Sequence, residues 1–262
     1  MNEVALITGA SSGIGYNIAI ELAKRSWDLV VIARRESKLL DLKKEIEKKY
    51  KVKVYVYAMD ITVNDKLLML QNKIIKENLF VSLLINNAGF GSSGYFHKLN
   101  LDKELNMIDL NIKALMKMCH IFSQEMVKKS KGHIINVASV AAFQPGPGMN
   151  TYFASKAFVL HFSEGLNEEL SSFGVKCSAL CPGTTKTEFF DIAEAMDLEA
   201  SPLPSMSASS VAKITLDGVD SSSVIIVPGL FNKLMCLSVR FVPRIIIRKF
   251  LKFLLLRRSK VD

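Results

Sequence analysis

The sequence has few of the residues that stabilise small proteins without a large core. Only four of its 262 residues are cysteines, at positions 119, 177, 181 and 236, and no two of them form a C-x-x-C pair. We therefore expect neither a disulfide framework nor a metal site. Scattered thiols are typical of a reducing compartment, and a chain of this length can bury a substantial hydrophobic core instead.

Proline and long apolar runs are also scarce. The chain has 7 Pro and 14 Gly, which excludes collagen-like and low-complexity classes. No stretch of about 18 uncharged apolar residues occurs, so we expect no segment that spans a bilayer unaided. No basic segment precedes a long apolar core near Met1, so we expect no secretory signal peptide and a cytoplasmic location.

Positive charge is plentiful, but it is unevenly distributed. Of the net charge of +9, residues 230–262 carry +8, from nine Lys and Arg against the single acid Asp262. The other 229 residues are therefore nearly neutral. This distribution disfavours a nucleic-acid-binding surface, and we expect no nucleic-acid partner.

The basic residues of the C-terminal segment recur at helical spacing. Arg240, Arg244, Arg248 and Lys252 lie four residues apart with apolar residues between them, which predicts a basic amphipathic helical tail. Pro243 should break or kink this tail, or start its second half. Such a helix could lie on an anionic membrane surface, peripherally at its inner face, or dock against the body or a second subunit. The sequence leaves both possibilities open.

Short β-branched runs alternate with longer amphipathic segments along the rest of the chain. The runs are almost continuously apolar, which indicates strands buried on both faces. This alternation predicts an α/β fold, a single doubly wound domain with a seven-stranded parallel sheet. The predicted strands are Val4–Thr8, Leu29–Ala33, Val52–Tyr57, Leu83–Ile85, His133–Val137, Val175–Leu180 and Val224–Val227, and the main predicted helices are Gly13–Arg25, Ser37–Lys49, Asp65–Glu77, Asp102–Lys129 and Tyr152–Ser172.

A glycine-rich turn joins the first predicted strand to the first predicted helix. Gly9 permits a tight turn, and Gly13 and Gly15 let the backbone approach a pyrophosphate and the helix pack close to the strand. The position of the turn favours a dinucleotide site over an ordinary glycine-rich turn. The candidate residues are Gly9, Ser11, Ser12, Gly13, Ile14 and Gly15.

Two arginines follow the second predicted strand, where no acid is present. A free ribose 2′-hydroxyl usually meets an acid at this point, whereas a 2′-phosphate needs a cation. Arginines are unfavourable near the positive end of a helix unless an anion binds there. We therefore predict that Arg34 and Arg35 bind the 2′-phosphate of NADP(H), with Arg34 the stronger candidate. A solvated surface pair is the alternative.

Tyr152 and Lys156 lie four residues apart on one face of a predicted helix. A free phenol has a pKa near ~10, and an adjacent cation stabilises its phenolate form. Tyr152 could then donate a proton to a carbonyl oxygen, or accept one in the reverse reaction. Such a pair is by itself a weak signal, and it gains weight only from its neighbours in the chain.

Together these motifs resemble the short-chain dehydrogenase/reductase family. The resemblance covers roughly Glu3 to Val227, and the motifs occur in the family's order and spacing. It implies a single Rossmann-fold domain that transfers a hydride between a nicotinamide nucleotide and a carbonyl or alcohol. We therefore assign residues 1–229 to an NADP-binding catalytic domain and 230–262 to a helical extension. The motifs are Thr8 to Gly15, Asn86-Asn87-Ala88-Gly89, Asn111, Ser139, Tyr152 with Lys156, and Pro182-Gly183 followed by Thr187.

The resemblance also implies a role for each matching residue. Ser139 would hydrogen-bond the substrate oxygen and Tyr152 would be the acid and base. Lys156 would hold the nicotinamide ribose and lower the pKa of the phenol, and Asn111 would hold a water in the proton relay. The family usually pairs subunits through two long helices, which implies a homodimer or homotetramer. The remaining cofactor residues would be Asp60 at the adenine, Asn87, Ala88 and Gly89 along the nucleotide, and Pro182, Gly183 and Thr187, the last on the carboxamide.

The substrate is less legible than the cofactor. Residues 187–210 show no strand signal and predict a mobile lid. The apolar pocket candidates favour a hydrophobic aldehyde or ketone. Reduction of a 3-oxoacyl thioester remains open, as does a nucleotide-binding, membrane-associated scaffold in which the tail is the functional part. The pocket candidates are Phe90, Phe96, Phe143, Pro145 and Met149.

Overall fold

A computed structural model describes residues 1–189, 193 and 204–256. Strands and helices alternate through it. The first half comprises β1 Asn2–Thr8, α1 Gly13–Lys24, β2 Asp28–Ala33, α2 Glu36–Lys49, β3 Val54–Ala58, α3 Asn64–Lys76 and β4 Leu79–Asn86. The second half comprises α4 Leu101–Ile108, α5 Leu115–Lys128, β5 Gly132–Val137, α6 Asn150–Ser171, β6 Val175–Leu180, β7 Thr185–Lys186, β8 Met206–Ser207, α7 Ala208–Asp220, β9 Ile225–Ile226, α8 Leu230–Ser238 and α9 Arg244–Leu256.

Seven of the strands form one parallel sheet, which confirms the predicted α/β fold. Their order is β3-β2-β1-β4-β5-β6-β9. In the centre, Ile7 of β1 pairs with Val31 of β2 on one side and with Ile85 of β4 on the other. The chain winds outward from β1 in one direction and then from β4 in the other. The switch point between β1 and β4 is where open α/β sheets bind ligands, at the carboxyl ends of the strands.

The central strand shows why the sheet is buried on both faces. Successive side chains of a strand point to opposite sides. In β1, Val4 and Leu6 pack into the core on one face of the sheet. Ala5 and Ile7 pack with α1 and α2 into the core on the other face. The continuous apolar run of β1 therefore packs against helices on both faces of the sheet.

Several element ends differ from the prediction, as in β4, which begins at Leu79 and not at Leu83. Two differences concern the elements themselves. The helix predicted over Asp102–Lys129 is divided by a π-helical turn at Asp109–Ala114. The expectation of no strand within 187–210 was wrong, because Met206–Ser207 pairs with Thr185–Lys186 in a small second sheet. Two residues are too few to show an alternating pattern. The rest of the predicted lid, at 190–192 and 194–203, lies outside the described residues.

The C-terminal segment is helical, as predicted, and it divides at Pro243. Helix α8 ends at Ser238 and α9 begins at Arg244, directly after the proline. Proline suits the start of a helix because the first amides have no intrahelical partner. Among the described residues, no helix combines the length and apolar character needed to cross a bilayer.

Candidate active site

A cavity of about 1320 Å³ lies along the carboxyl ends of the central strands. It exceeds the ~300–1,000 Å³ typical of small-molecule sites. Asn111 and Gly15 are the predicted site residues that do not line it. Those that do are Gly9, Ser11, Ser12, Gly13, Ile14, Arg34, Arg35, Asp60, Asn87, Ala88, Gly89, Ser139, Tyr152, Lys156, Pro182, Gly183 and Thr187.

The glycine-rich turn has the shape of an anion cradle. Gly9 and Gly13 have φ values of +67° and +59°, in the left-handed region that favours glycine. A Cβ at Gly13 would lie 3.1 Å from the Thr187 methyl group, in the space between the loop and that residue. The Ser12 side chain does not cap α1, so the first amides of the helix remain available to an anion. These features fit the pyrophosphate of a dinucleotide.

Gly15 has a packing role instead. A Cβ there would collide with the Asn87 amide and the Gly9 carbonyl, so the residue lets α1 approach the strands closely. The Asn87 side chain donates to the Thr8 carbonyl at 3.0 Å. The Thr8 hydroxyl accepts from the amides of Asn87 and Ala88, each at 3.0 Å. These bonds join the ends of β1 and β4 and fix the backbone along the cavity.

The two arginines after β2 have different surroundings. Arg35 donates to Ser11 Oγ at 3.1 Å and to Ser12 Oγ at 2.9 Å, and it pairs with Glu188 at 2.8 Å. Its hydrogen bond lowers the pKa of Glu188. Arg34 is exposed beside the cavity and makes no hydrogen bond or ion pair with another described residue. Arg34 is therefore a cation without a described hydrogen-bonded partner at this end, and its charge helps to lower the pKa of Asp60.

Asp60 follows β3 at the same end of the cavity. Its carboxylate accepts from the Thr62 amide at 2.9 Å and from the Thr62 hydroxyl at 2.7 Å. Burial acts to raise the pKa of Asp60, but these two hydrogen bonds lower it below its ordinary value. The carboxylate is thus fixed as an ionised group on the cavity wall.

Tyr152 and Lys156 lie at the opposite end, on the first turns of α6. Lys156 is buried and donates from Nζ to the Val137 carbonyl at 2.7 Å, with Nζ 5.8 Å from the centre of the Tyr152 ring. Burial lowers the pKa of Lys156 to about 8. Burial also raises the pKa of Tyr152 to about 12, although the neighbouring Ser139 hydroxyl lowers it. Desolvation therefore dominates, and Lys156 is not among the causes of the Tyr152 shift.

Ser139 lies just beyond the carboxyl end of β5. Its hydroxyl accepts from the Ala141 amide at 3.1 Å and donates to the Pro182 carbonyl at 3.4 Å. The ring of Phe189 packs against the Tyr152 ring, with the two ring centres 5.1 Å apart. The two hydroxyl groups thus share a pocket that has an aromatic wall.

Asn111 lies behind this pocket, within the π-helical turn. Its Oδ1 accepts from the Phe90 amide at 3.2 Å, and its Nδ2 donates to the Phe90 carbonyl at 3.0 Å and to Ser155 Oγ at 3.1 Å. The Ser155 hydroxyl in turn donates to the Tyr152 carbonyl at 2.7 Å. Asn111 therefore connects the loop after β4 to the helix that carries Tyr152. π-Helical turns are often found at functional sites.

The substrate side of the cavity was only partly anticipated. Phe90 and Met149 line it, but Phe96, Phe143 and Pro145 do not. Phe143 packs on the hydrophobic core, and Phe96 projects outward. Helices α8 and α9 also line the cavity, which was not predicted, and the spacing of Ile247, Leu251 and Leu254 was the available signal. The apolar residues that these two elements and their connection contribute are Met235, Val239, Val242, Ile246, Ile247, Phe250, Leu251, Leu254 and Leu255.

Comparison with known proteins agrees with this fold. Residues 3–197 match the family described as short chain dehydrogenase. The chain therefore belongs to the short-chain dehydrogenase family, a family of oxidoreductases, and the resemblance seen in the sequence is confirmed.

Three similar proteins illustrate the range of the family. A zebrafish (Danio rerio) very-long-chain 3-oxoacyl-CoA reductase is 35% identical over 196 residues, which are 73% of this chain and 62% of that protein. A short-chain dehydrogenase from Sphingobium yanoikuyae, solved with NADPH, is 35% identical with a TM-score of 0.81, over 88% of this chain and 89% of that one. A family member from Burkholderia phymatum, solved with NAD, is 25% identical with a TM-score of 0.80, over 91% and 92%.

Proposed function

We propose that this protein is an NADP(H)-dependent oxidoreductase that interconverts a hydrophobic carbonyl compound and its alcohol. The observation that carries the proposal is the convergence of Ser139, Tyr152 and Lys156 on a cavity that continues into the glycine-rich cradle. When bound, the nicotinamide supplies or accepts the hydride. The residues of the chain bind the reactants and move the proton.

Tyr152 is the proposed proton donor in the direction of reduction. Its raised pKa keeps the proton on the phenol oxygen at neutral pH. As the carbonyl oxygen gains negative charge, that oxygen accepts the Tyr152 proton and a hydrogen bond from Ser139, whose hydroxyl would turn away from the Pro182 carbonyl. In the charged form, Lys156 would stabilise the resulting phenolate, because the pocket is desolvated and attraction there is strong. Lys156 would also hold the nicotinamide ribose.

Asn111 completes the proposed tetrad as a positioning residue. Its bonds to Phe90 and Ser155 hold the floor of the pocket and the first turns of α6. Its predicted role in holding a water of the proton relay remains a prediction.

NADP(H) is the proposed cofactor because Arg34 is available at the adenosine end. The cradle formed by Gly9, Gly13 and the start of α1 would hold the pyrophosphate. Asp60 would contact the adenine and Thr187 the carboxamide. The Sphingobium yanoikuyae relative binds NADPH and the Burkholderia phymatum relative binds NAD, so the family accommodates both nucleotides.

Reduction of a 3-oxoacyl thioester is a second candidate function. It is favoured by the apolar wall that continues along α8 and α9 beyond Tyr152, since a long acyl chain would fill such a wall. The very-long-chain reductase of zebrafish is a relative with that activity in its name. We further propose a cytoplasmic homodimer or homotetramer paired through α5 and α6.

Tyr152→Phe tests the proposed reaction. We expect unchanged binding of NADPH and a loss of kcat/KM of at least ~10²–10⁴-fold on a panel of aldehydes and ketones, because the proton donor is removed and the ring remains. Tyr50→Phe, at the end of α2, is the matched control and should retain full activity. Retention of full activity by Tyr152→Phe would overturn the mechanism. The scaffold alternative predicts that the biological role survives this substitution.

A further inference from the structure

The outward surface of α8 and α9 is unusually apolar. Phe241, between the two helices, is 78% exposed, and Ile245 in the first turn of α9 is 53% exposed. Contiguous exposed apolar patches on a protein mark interaction surfaces or lipid contacts. We refer to the exposed apolar residues of this segment as the outer patch, which consists of Leu230, Phe231, Leu234, Leu237, Phe241, Val242, Ile245, Ile246, Phe250 and Phe253.

The charge around the outer patch has one sign. The sequence from residue 221 to residue 256 contains no Asp or Glu. Exposed Lys and Arg side chains lie among the apolar ones instead. They are Lys233, Arg240, Arg244, Arg248, Lys249 and Lys252. An apolar patch whose own segment carries only basic charges complements a surface that is apolar below and anionic above.

Helix α9 connects this surface to the catalytic cavity. At about 100° per residue, positions 253, 246, 250, 254, 247 and 251 follow one another around the helix as a continuous apolar arc. The arc begins with exposed Phe253 and ends with buried Ile247 and Leu251. Ile246 and Phe250, in the middle, line the cavity and are also more than half exposed. The mouth of the cavity therefore opens into the outer patch.

We propose that α8 and α9 dock on an anionic bilayer, and that the substrate is a long-chain carbonyl lipid which enters the cavity from that bilayer past Ile246 and Phe250. The choice of substrate rests on the proposed function, whereas the docking does not. The basic residues favour anionic headgroups over a second copy of the chain, since an isologous pairing would oppose six positive charges with six more.

Vesicle sedimentation tests the docking without any activity. The full chain should sediment with vesicles that contain phosphatidylserine and remain in the supernatant with phosphatidylcholine alone, and salt should weaken the binding. Replacing Arg244, Arg248 and Lys252 by Gln should lower the partition coefficient roughly 100-fold, at about a fivefold loss per charge. The same change at Lys44, Lys48 and Lys51 on and after α2 is the matched control and should leave binding unaltered.

A second pair of variants tests the contribution of the apolar side chains to vesicle binding. Phe241→Ser with Ile245→Ser should weaken vesicle binding at least ~10-fold, because two large side chains no longer enter the lipid. Met69→Ser with Phe173→Ser, at two positions elsewhere that are also more than half exposed, should leave vesicle binding unchanged. Equal binding to both vesicle types by the native chain, or no binding together with concentration-dependent self-association, would overturn the docking.

A comparison of reduction rates on two substrates tests the route by which the substrate enters the cavity. With NADPH, the Gln variant should reduce a long-chain carbonyl lipid in phosphatidylserine vesicles at least ~10-fold more slowly than the native chain, since fewer molecules are docked. Its rate on a short carbonyl compound free in solution should be unchanged. Equal loss on both substrates would refute entry from the bilayer. If the native chain reduces neither substrate yet binds the vesicles, the proposed function fails and the docking stands.

Discussion

Arg34 and Arg35 are neighbours in sequence, but only Arg35 forms hydrogen bonds and an ion pair with other described residues. Arg35 bridges the glycine-rich turn and Glu188, so it organises the loop. Arg34 has no such partner among the described residues, and in the proposed function it is the residue that discriminates between nucleotides. A neutral side chain in place of an arginine that binds a phosphate typically costs about 1.5–3 kcal/mol.

Arg34→Ser should therefore weaken NADPH binding about 10- to 100-fold and leave NADH binding nearly unchanged, as measured by nucleotide fluorescence titration. Arg35→Ser is the informative comparison. Because Arg35 holds the loop that both nucleotides would use, its loss should weaken the two alike. An equal effect of Arg34→Ser on both nucleotides would show that it does not bind the 2′-phosphate.

At the scale of elements, α8 is seated against the loop after β6 by one close contact. Asn232 is buried and donates to the Pro228 carbonyl at 2.7 Å. A Cβ at Gly183 would lie 2.5 Å from the atoms of the Asn232 amide group. The glycine thus allows α8 to reach the end of the cavity, and with it the start of the C-terminal segment.

Gly183→Ala should lower the free energy of unfolding by about 1–3 kcal/mol, because the added methyl group overpacks this contact. In an Asn232→Ala background the same substitution should cost much less, which a double-mutant cycle by urea denaturation would measure as coupling. Gly165→Ala is the control. Its Cβ would meet nothing within 4 Å on α6, so we expect stabilisation by up to ~1 kcal/mol. Additive costs at 183 and 232 would contradict the proposed contact.

The elements also show which features are legible in a sequence. The strands and the turn from Gly9 to Gly15 were predictable because apolar periodicity and glycine spacing are local properties. The spacing of Tyr152 and Lys156 on one helix is local as well. The π-helical turn at Asn111 was not predictable, since it depends on bonds to Phe90 and Ser155, which are 21 and 44 residues distant.

The tail illustrates the same limit. Its amphipathic character and its break at Pro243 were evident, but a helical pattern does not say which part of the molecule its apolar face covers. The burial of Ile247 and Leu251 over the cavity is a tertiary event. The raised pKa of Tyr152 could not be predicted from the sequence either, because the sequence shows the neighbouring lysine but not the desolvation of the phenol.

For the whole molecule, His133 in β5 makes stability depend on pH. It is buried, and its Nε2 lies 2.7 Å from Ser178 Oγ, which itself donates to the Ser223 carbonyl. His133 therefore donates from Nε2 in its neutral form. Burial lowers the pKa of His133 from its ordinary 6.5 to about 4. Between these pH values the unfolded chain binds a proton that the folded chain does not.

The contribution of neutral His133 to the free energy of unfolding should thus be fully present above pH ~6.5. It should fall by about 3 kcal/mol as the pH drops to ~4. His133→Gln retains a donor but cannot titrate, so its free energy of unfolding should fall less steeply over this range in urea titrations. His161→Gln, on the exposed face of α6, should follow the native profile. Parallel profiles for native and His133→Gln proteins would refute the assignment.

The arc on α9 also bears on how such a protein can diverge. Helix α9 supplies a wall of the cavity and part of the outer patch, and Ile246 and Phe250 belong to both. A substitution of either residue that suits a new substrate would at the same time change the apolar surface of the outer patch. Under the proposed docking, substrate preference and membrane attachment would therefore evolve together, and a descendant that changes one would tend to change the other.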